Sequence, residues 1–386
     1  MSAEHTIPDG LGLEATISHL RRVLRGFSFE FDTELEDVEF YRIKVPLTRM
    51  PLPVYARQLM DLIGAPYLGR GDKVAWRYGF KVDDVPCVLS SEKPGARLYI
   101  HPAVGDDDAA LRMADRILDK LAAAQKTVIK SVISPQIPSQ IQAGNVIFTN
   151  QYANLHGGYQ YFREGCQLAY AGDGRLADKA PWIELLTGRG SQEAWWNLFA
   201  MVSAYFSLFE HILIACLPFT SFDPQADDLP RAVGGKWNEK FRLVANLQDT
   251  ETAKQFAALH DIAERYRNTY SHGAFGSGGK AAMIVRLPKI GDVPASLGDF
   301  GVHPEQWFIP AAQEDFARIC EAFDSCDQWL ATGPLAIGYQ WAQAGLDFDF
   351  SPRLRTAAAK AIERGDFEGF LRRAVEHDEA LMNWEF

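Results

Sequence analysis

The sequence predicts an α+β protein, in which a mixed N-terminal part with an antiparallel sheet precedes an α-helical bundle. Short runs of alternating apolar residues, bounded by turn residues, concentrate in the first 145 residues and indicate strands. Long runs with apolar residues three and four apart dominate the remainder and indicate amphipathic helices. The chain has 386 residues, of which 47% are hydrophobic and 23% are charged, so it can form two or three globular domains.

The N-terminal part, residues 1–145, is predicted to pack helices on one face of an antiparallel sheet. Apolar spacing predicts the first helix over residues 13–24. Pro53 suits the first turn of a second helix, and the acidic residues 106–108 stabilise the start of a third. Alternating patterns predict strands within residues 27–47 and over residues 74–82, 87–91 and 96–100.

The remaining residues are predicted to be mostly helical. Residues 131–143 contain two prolines and little periodicity, which predicts a linker. Residues 146–190 are expected to connect the N-terminal part to a bundle over residues 191–345, and residues 346–386 to form a C-terminal helical extension. Within the bundle, the pattern predicts helices at residues 191–217, 237–247, 249–272 and 310–330, and a short strand at residues 281–287.

Charge and cysteine content limit the function classes. The net charge of −11 argues against a surface that coats nucleic acid broadly, although a local basic cleft is compatible with it. The five cysteines are scattered without any CxxC pair, so we expect free buried thiols, no disulfide framework and no metal site. The chain also lacks a dinucleotide-binding fingerprint and a phosphate loop, so no cofactor is expected.

The sequence predicts a soluble cytoplasmic protein without a membrane span. The first ten residues, MSAEHTIPDG, lack the basic and apolar regions of a signal peptide. The most apolar window, residues 198–219, carries Glu210 and His211 in its middle, which favours a buried bundle helix over a transmembrane helix.

One short segment carries the functional signal. Residues 267–273, RNTYSHG, place an arginine, an amide and a histidine next to a predicted helix end. Such side chains can bind a phosphodiester and transfer a proton. The spacing alone does not show that this segment is functional. Pairs in which a histidine follows an arginine after four to six residues occur about as often as chance predicts. The three such pairs are Arg267/His272, Arg265/His272 and Arg372/His377.

The context of this segment is more specific. Arg267-Asn268-x-x-x-His272-Gly273 ends a long helical pattern, after a helix that carries Glu210 and a shorter helix that opens with Lys236-Trp237. This arrangement resembles the signature of HEPN (higher eukaryotes and prokaryotes nucleotide-binding) domains. The resemblance covers about residues 190–345 and does not extend to the first 145 residues. Arg372/His377 lacks this setting.

The resemblance implies a metal-independent endoribonuclease that acts as a homodimer, with two copies of the motif facing each other. His272 is then the general acid or base, and Arg267 binds the phosphate oxygens as charge grows on them. Asn268 precedes His272 by one helical turn, where it can orient the ring or bind phosphate. We expect supporting roles for Glu210, Tyr270 and Ser271.

Non-catalytic interpretations of the same residues remain open. A histidine in the last helical turn before a glycine is favoured by the helix dipole and needs no function. Glu210 lies in an apolar stripe, where it either orients the motif or forms an ion pair within the bundle. Three cations form a small basic face that either guides RNA or is a solvated helix surface. These are Lys236, Lys240 and Arg242.

Two functions are therefore expected. The first is a ribonuclease of a toxin or anti-phage defence type, which cleaves RNA such as tRNA or mRNA and has an antitoxin or regulatory protein as a further partner. In that case residues 1–145 sense a signal, dock or restrain the nuclease. The second is a catalytically inactive HEPN scaffold that binds nucleotide or a partner protein. The acidic total charge favours the second function, whereas the intact Arg-Asn…His motif favours the first.

Overall fold

The computed structural model describes residues 13–31, 39–49, 53–175, 189–268, 282–296 and 313–384. It confirms the α+β fold class, with an antiparallel sheet in the N-terminal part followed by helices. The chain divides into two compact units. Unit 1 comprises Met1–Gln140 and Glu376–Phe386, and unit 2 comprises Ile141–Val375.

Unit 1 contains a six-stranded antiparallel sheet. Its strands, in chain order, are β1 (Phe27–Ser28), β2 (Tyr41–Lys44), β3 (Tyr67–Gly71), β4 (Val74–Val82), β5 (Val85–Glu92) and β6 (Gly95–Ile100). The spatial order is β1-β4-β5-β6-β2, and β3 also pairs with β4. The central hairpin turns at Asp83 and Asp84, which both have positive φ angles, of 48° and 64°. Two consecutive left-handed residues are what a tight two-residue hairpin needs, and aspartate tolerates that conformation.

Three helices cover one face of this sheet, as predicted. They are α1 (Leu13–Val23), α2 (Pro53–Ile63) and α3 (Asp107–Val128). Tyr78, Leu89, Leu98 and Ile43 pair across four neighbouring strands and belong to the core that the sheet shares with the helices. Because paired residues share a face, alternate residues of each strand project to the opposite side of the sheet.

The expected linker is helical instead. The chain continues from α3 through a π-helical turn (Ile129–Ile133) into α4 (Ser134–Gln142). The side-chain amide of Gln136 donates to the carbonyl of Val132 at 2.7 Å, and the hydroxyl of Ser139 donates to the carbonyl of Gln136 at 2.8 Å. Pro135 lies in the first turn of α4, where a proline is tolerated, whereas Pro138 lies inside the helix.

The described residues of unit 2 form a helical bundle with two small two-stranded sheets. Its helices are α5 (Tyr152–Ala171), α6 (Arg189–Cys216), α7 (Leu229–Gly234), α8 (Trp237–Val244), α9 (Thr250–Ile262), α10 (Gln313–Thr332), α11 (Ala336–Gln343), α12 (Pro352–Glu363) and α13 (Phe367–Trp384), the last of which extends into the residues of unit 1. One sheet pairs β7 (Ile147–Phe148) with β10 (Phe348–Asp349), and the other is the hairpin of β8 (Ala282–Leu287) and β9 (Gly291–Ser296). The short strand predicted at residues 281–287 corresponds to β8.

Helix α6 lies at the centre of unit 2. The segment Gln192–Phe219 is long and apolar enough to cross a membrane by length and composition, but 61% of its most apolar window is buried inside the protein. That burial is typical of the core helix of a soluble bundle and agrees with the predicted soluble character. The ring of Tyr205 stacks on that of Phe323 from α10, with the centroids 3.7 Å apart.

Two segments that were expected to lie outside the bundle contribute to its packing. Residues 146–190, expected to be a connection, contain α5, whose Tyr159 and Cys166 are fully buried in the same core as α6. Within the C-terminal extension, Phe348 and Phe350 are buried in a second cluster with Leu217. Both segments carry large apolar side chains, and burying those side chains provides most of the favourable free energy of packing.

The core that α5 and α6 share also contains a partly buried carboxylate, that of Asp327. The hydroxyl of Tyr205 donates to Asp327 at 2.9 Å, while Arg163 forms a forked ion pair with the neighbouring Asp324 at 2.5 and 2.7 Å. Burial raises the pKa of the Asp327 carboxyl from 3.8 to about 6, although the hydrogen bond from Tyr205 opposes this change. Asp327 therefore binds a proton more tightly in the folded chain than in the unfolded chain.

The substitution Asp327→Asn is expected to stabilise the protein above pH 6. The contribution of Asp327 to the free energy of unfolding is fully present below the unfolded pKa of 3.8 and is lost as the pH rises through about 6. Asparagine resembles the protonated acid, so the variant should exceed the parent by on the order of 2 kcal/mol at about pH 8 and match it near pH 4. Urea unfolding at both pH values measures this difference.

The control for this prediction is Glu321→Gln, which removes a carboxylate from an exposed position of the same helix. A stability difference for Asp327→Asn that is the same at both pH values would contradict the prediction.

Candidate functional site

The candidate motif begins in a distorted helical turn. The carboxylate of Asp249 caps the start of α9 by accepting from the backbone nitrogen of Thr252 at 2.8 Å. After Ile262 the helix widens into a π-helical turn over Ala263–Asn268. Such turns are rare and frequently occur at functional sites. Arg267 and Asn268 lie in this turn, whereas Tyr270, Ser271 and His272 lie outside the described residues.

Glu210 joins three elements at this turn. One oxygen of its carboxylate accepts from a terminal nitrogen of Arg267 at 2.9 Å, and the other accepts from the ammonium of Lys240 at 2.7 Å. Glu210 comes from α6, Lys240 from α8 and Arg267 from the π-helical turn. We refer to these three residues as the Glu210 cluster. Both roles that the sequence left open for Glu210 are therefore compatible with its geometry, since it forms ion pairs and also positions Arg267.

The Glu210 cluster is largely sheltered from water. The exposed fractions of its side chains are 20% for Glu210, 10% for Lys240 and 26% for Arg267. The guanidinium carbon of Arg267 also lies 5.1 Å from the centroid of the Phe206 ring, within the range of a cation–π interaction. The carboxylate and the aromatic ring thus hold the guanidinium in a defined orientation while part of it stays accessible to solvent.

The cluster has an excess of positive charge. A carboxylate placed against a single arginine would cancel its charge and weaken its attraction for an anion. Here Lys240 supplies a second cation to the same carboxylate, so the three side chains together carry one positive charge. The arrangement can therefore orient Arg267 without removing the field that attracts a phosphate group.

Asn268 is oriented within its own turn. Its side-chain amide nitrogen donates to the carboxylate of Glu264 at 2.8 Å, four residues earlier. Glu264 and Phe206 were not predicted from the sequence as part of the site. Their sequence spacing could have indicated both of them. Glu264 lies four residues before Asn268, and Phe206 lies four residues before Glu210, a spacing at which side chains of a helix are neighbours.

The structure separates the three residues of the predicted basic face. Lys236 and Arg242 are exposed on α8, and the guanidinium carbon of Arg242 lies 4.9 Å from the centroid of the Phe256 ring. Lys240 is buried, and its ammonium is directed to Glu210 in the interior. Lys240 therefore does not lie on the exposed face that was expected to guide RNA.

Two other residues of the motif region have separate contacts. Arg265, the second arginine with the required spacing to His272, is exposed and pairs with Asp261 at 2.8 Å. His211, which follows Glu210, accepts a hydrogen bond from the backbone nitrogen of Gln151 at 3.0 Å, and burial lowers its pKa. Among the described residues of the motif, Arg267 is therefore the arginine that enters the Glu210 cluster.

No family model matches this chain, and the comparisons with curated proteins and with solved structures give no match. Within the ranges that the structure describes, no group of three or more histidine, cysteine, aspartate or glutamate side chains could hold a metal ion. The function therefore has to be inferred from the residues themselves and from their geometry.

The substitution Glu210→Gln is expected to destabilise the protein by about 2 to 3 kcal/mol, because it leaves two sheltered cations without their carboxylate. The matched control is Glu251→Gln, which removes the charge of an exposed carboxylate that pairs with Lys254 at 3.5 Å. The new amide oxygen can still accept from Gln255, as the carboxylate does at 2.9 Å, so the change should cost less than about 1 kcal/mol. Urea unfolding of both variants near pH 7 measures these changes. Equal stabilities of the two variants would show that the Glu210 cluster does not stabilise unit 2.

Proposed function

We propose that this protein is a metal-independent endoribonuclease of a toxin or defence type. The observation that carries the proposal is the orientation of Arg267 by Glu210 at the π-helical turn, immediately before the His272 segment. The resemblance of the Arg-Asn…His sequence to the HEPN signature supports the same chemistry.

The proposed reaction uses the RNA's own 2′-hydroxyl group as the nucleophile. Its oxygen attacks the adjacent phosphorus while a base removes its proton. The bond from phosphorus to the 5′-oxygen then breaks, and an acid protonates the leaving oxygen. The products are a 2′,3′-cyclic phosphate and a 5′-hydroxyl end. His272 supplies the proton transfer near neutral pH, and Arg267 stabilises the charge that grows on the phosphate oxygens.

A homodimer fits this chemistry, because the reaction needs both an acid and a base and each chain provides one histidine in the motif. A closed two-fold arrangement is the commonest form of oligomer and would bring two motifs together.

The proposed substrate is a cytoplasmic RNA such as tRNA or mRNA. Residues 1–145 would then sense or dock the signal that releases activity, with an antitoxin or regulatory protein as a further partner.

One observation favours a second candidate function. Arg267 already has a carboxylate partner in Glu210, and ion-pair networks of this kind also serve purely to stabilise structure. In that case unit 2 is a catalytically inactive scaffold that binds a nucleotide or a partner protein. Cleavage assays separate the two functions directly.

Purified protein is expected to cleave total RNA in the presence of EDTA, because the nucleophile and the acid–base groups in the proposed reaction require no metal ion. Mass spectrometry of the fragments should find 2′,3′-cyclic phosphate and 5′-hydroxyl ends. Loss of activity in EDTA, or fragments that end in a 3′-hydroxyl, would contradict the mechanism. Absence of cleavage together with nucleotide binding would favour the scaffold.

The substitutions His272→Ala and Arg267→Ala are each expected to lower the cleavage rate by about 10² to 10⁴, the range for loss of one acid–base or oxyanion-stabilising group. The matched controls, Arg372→Ala and His377→Ala, alter a pair with the same spacing that is exposed on α13 and should retain the parent rate. Circular dichroism checks that every variant is folded.

The same two variants test the shared site. Partial recovery of activity on mixing the Arg267→Ala chain with the His272→Ala chain would support a composite dimeric centre. A greater loss in the α13 variants than in the motif variants would show that the motif has been assigned to the wrong residues.

A further inference from the structure

The face of the unit 1 sheet opposite helices α1, α2 and α3 carries a row of basic side chains. Arg77 pairs with Ser90, Ser90 pairs with Arg97, and Arg97 pairs with Lys44, across strands β4, β5, β6 and β2. Directly paired residues project to the same side of a sheet. This row alternates with the core row of Tyr78, Leu89, Leu98 and Ile43, so it lies on the side opposite the helices. We call these four residues the basic row.

Ser90 is the unexpected member of the basic row. It is 0% exposed, yet its hydroxyl oxygen has no hydrogen-bond partner within the part of the chain that the structure describes. The Nε atom of Arg77, its neighbour in the row, is likewise buried without a partner. Unsatisfied buried polar atoms cost free energy, and an alanine at position 90 would avoid that cost for the hydroxyl. The two atoms are therefore suited to a ligand that accepts hydrogen bonds.

Within the described residues, the cations of the row also lack a directly paired carboxylate. Arg97 and Lys44 lie directly opposite each other, an arrangement of like charges that destabilises a sheet. Among the described residues, Arg77, Arg97 and Lys44 form no ion pair. An anion bound over the row would relieve this repulsion and also accept from the serine hydroxyl.

The carboxylate nearest to the row is already occupied. Glu92 accepts from Arg42 at 2.5 Å and from the hydroxyl of Tyr99. Burial acts to raise the pKa of Glu92, but these hydrogen bonds outweigh it and hold the pKa below its usual value, with Arg97 contributing least. The guanidinium carbon of Arg42 also lies 6.0 Å from the centroid of the Tyr99 ring. Glu92 and Arg42 thus satisfy each other, while the basic row keeps its positive charge.

We propose that the basic row binds the phosphate group of a small phosphate-bearing ligand. A guanidinium presents a planar fork of donors that matches phosphate oxygens, and a serine hydroxyl donates to a third oxygen. Two interstrand spacings, about 10 Å, separate the backbones of Arg77 and Arg97, so their long side chains can close over one phosphate above Ser90. This site is in unit 1 and does not depend on the nuclease function proposed for unit 2.

The charge of the chain favours a small ligand over a nucleic acid strand. The net charge of −11 repels a polyanion from most of the surface. The row has three cations, and Arg42 next to it is engaged with Glu92. Three cations can neutralise one phosphate group, whereas an extended strand brings a further negative charge with every phosphate.

Isothermal titration of the full-length protein tests this site with inorganic phosphate, AMP, adenosine and a short single-stranded deoxyoligonucleotide. Inorganic phosphate and AMP are expected to bind, and adenosine, which lacks the phosphate, is not. Ser90→Ala and Arg97→Gln should each weaken binding of AMP by at least about tenfold, the scale for loss of a hydrogen bond to a charged group.

The control variant is Arg112→Gln, which makes the same charge change at an exposed position of α3 and should leave binding unchanged. Thermal unfolding without ligand keeps the test valid, because Ser90→Ala removes an unsatisfied hydroxyl and should not lower the melting temperature. Three results would each overturn the proposal: equal binding of AMP and adenosine, binding of the oligonucleotide alone, or unchanged AMP affinity in folded Ser90→Ala and Arg97→Gln.

Discussion

The carboxylate of Glu210 in the apolar helix α6 constrains much of unit 2. Water hydrates it only partly, since its side chain is 20% exposed, and a sheltered carboxylate without cations would cost several kcal/mol. The two cations come from different elements, Lys240 from α8 and Arg267 from the π-helical turn that follows α9. Apolar packing by Trp237 and Phe241 brings α8 to α6, but the ion pairs specify which residues face each other. The same contacts set the orientation of the candidate phosphate-binding arginine.

The parts of the fold that were predicted correctly are those in which a local pattern and the tertiary structure agree. In β4 the alternate residues Trp76, Tyr78, Phe80 and Val82 are all buried, so the period of two in the sequence is also the period of burial. Helix α3 was predicted from its acidic first turn, and the Asp106 side chain caps it by accepting from Ala109 at 2.8 Å. Glu210 was singled out because a charged residue in an apolar stripe has to be paired.

Other features depend on contacts that the sequence does not display. Residues 134–142 form a helix despite two prolines, of which Pro135 occupies the tolerant first turn and Pro138 lies in the interior. Lys240 was assigned to a basic face because its neighbours are charged, but its partner lies 30 positions earlier in the chain. The π-helical turn at Ala263–Asn268 changes which residues share a face. The angle between Arg267 and later residues therefore cannot be obtained from regular helical spacing.

Both proposed functions require an acidic protein to concentrate its positive charge. The two candidate sites do so in different ways. In the Glu210 cluster, Glu210 holds the guanidinium of Arg267 in place, and Lys240 balances the negative charge of Glu210. The cluster therefore keeps a net positive charge. In the basic row the cations repel one another with no carboxylate between them, and a buried serine adds a neutral donor. The first arrangement fixes one guanidinium, as stabilising a transition state requires. The second leaves its cations without an internal counter-ion, which favours binding of an anionic ligand over catalysis.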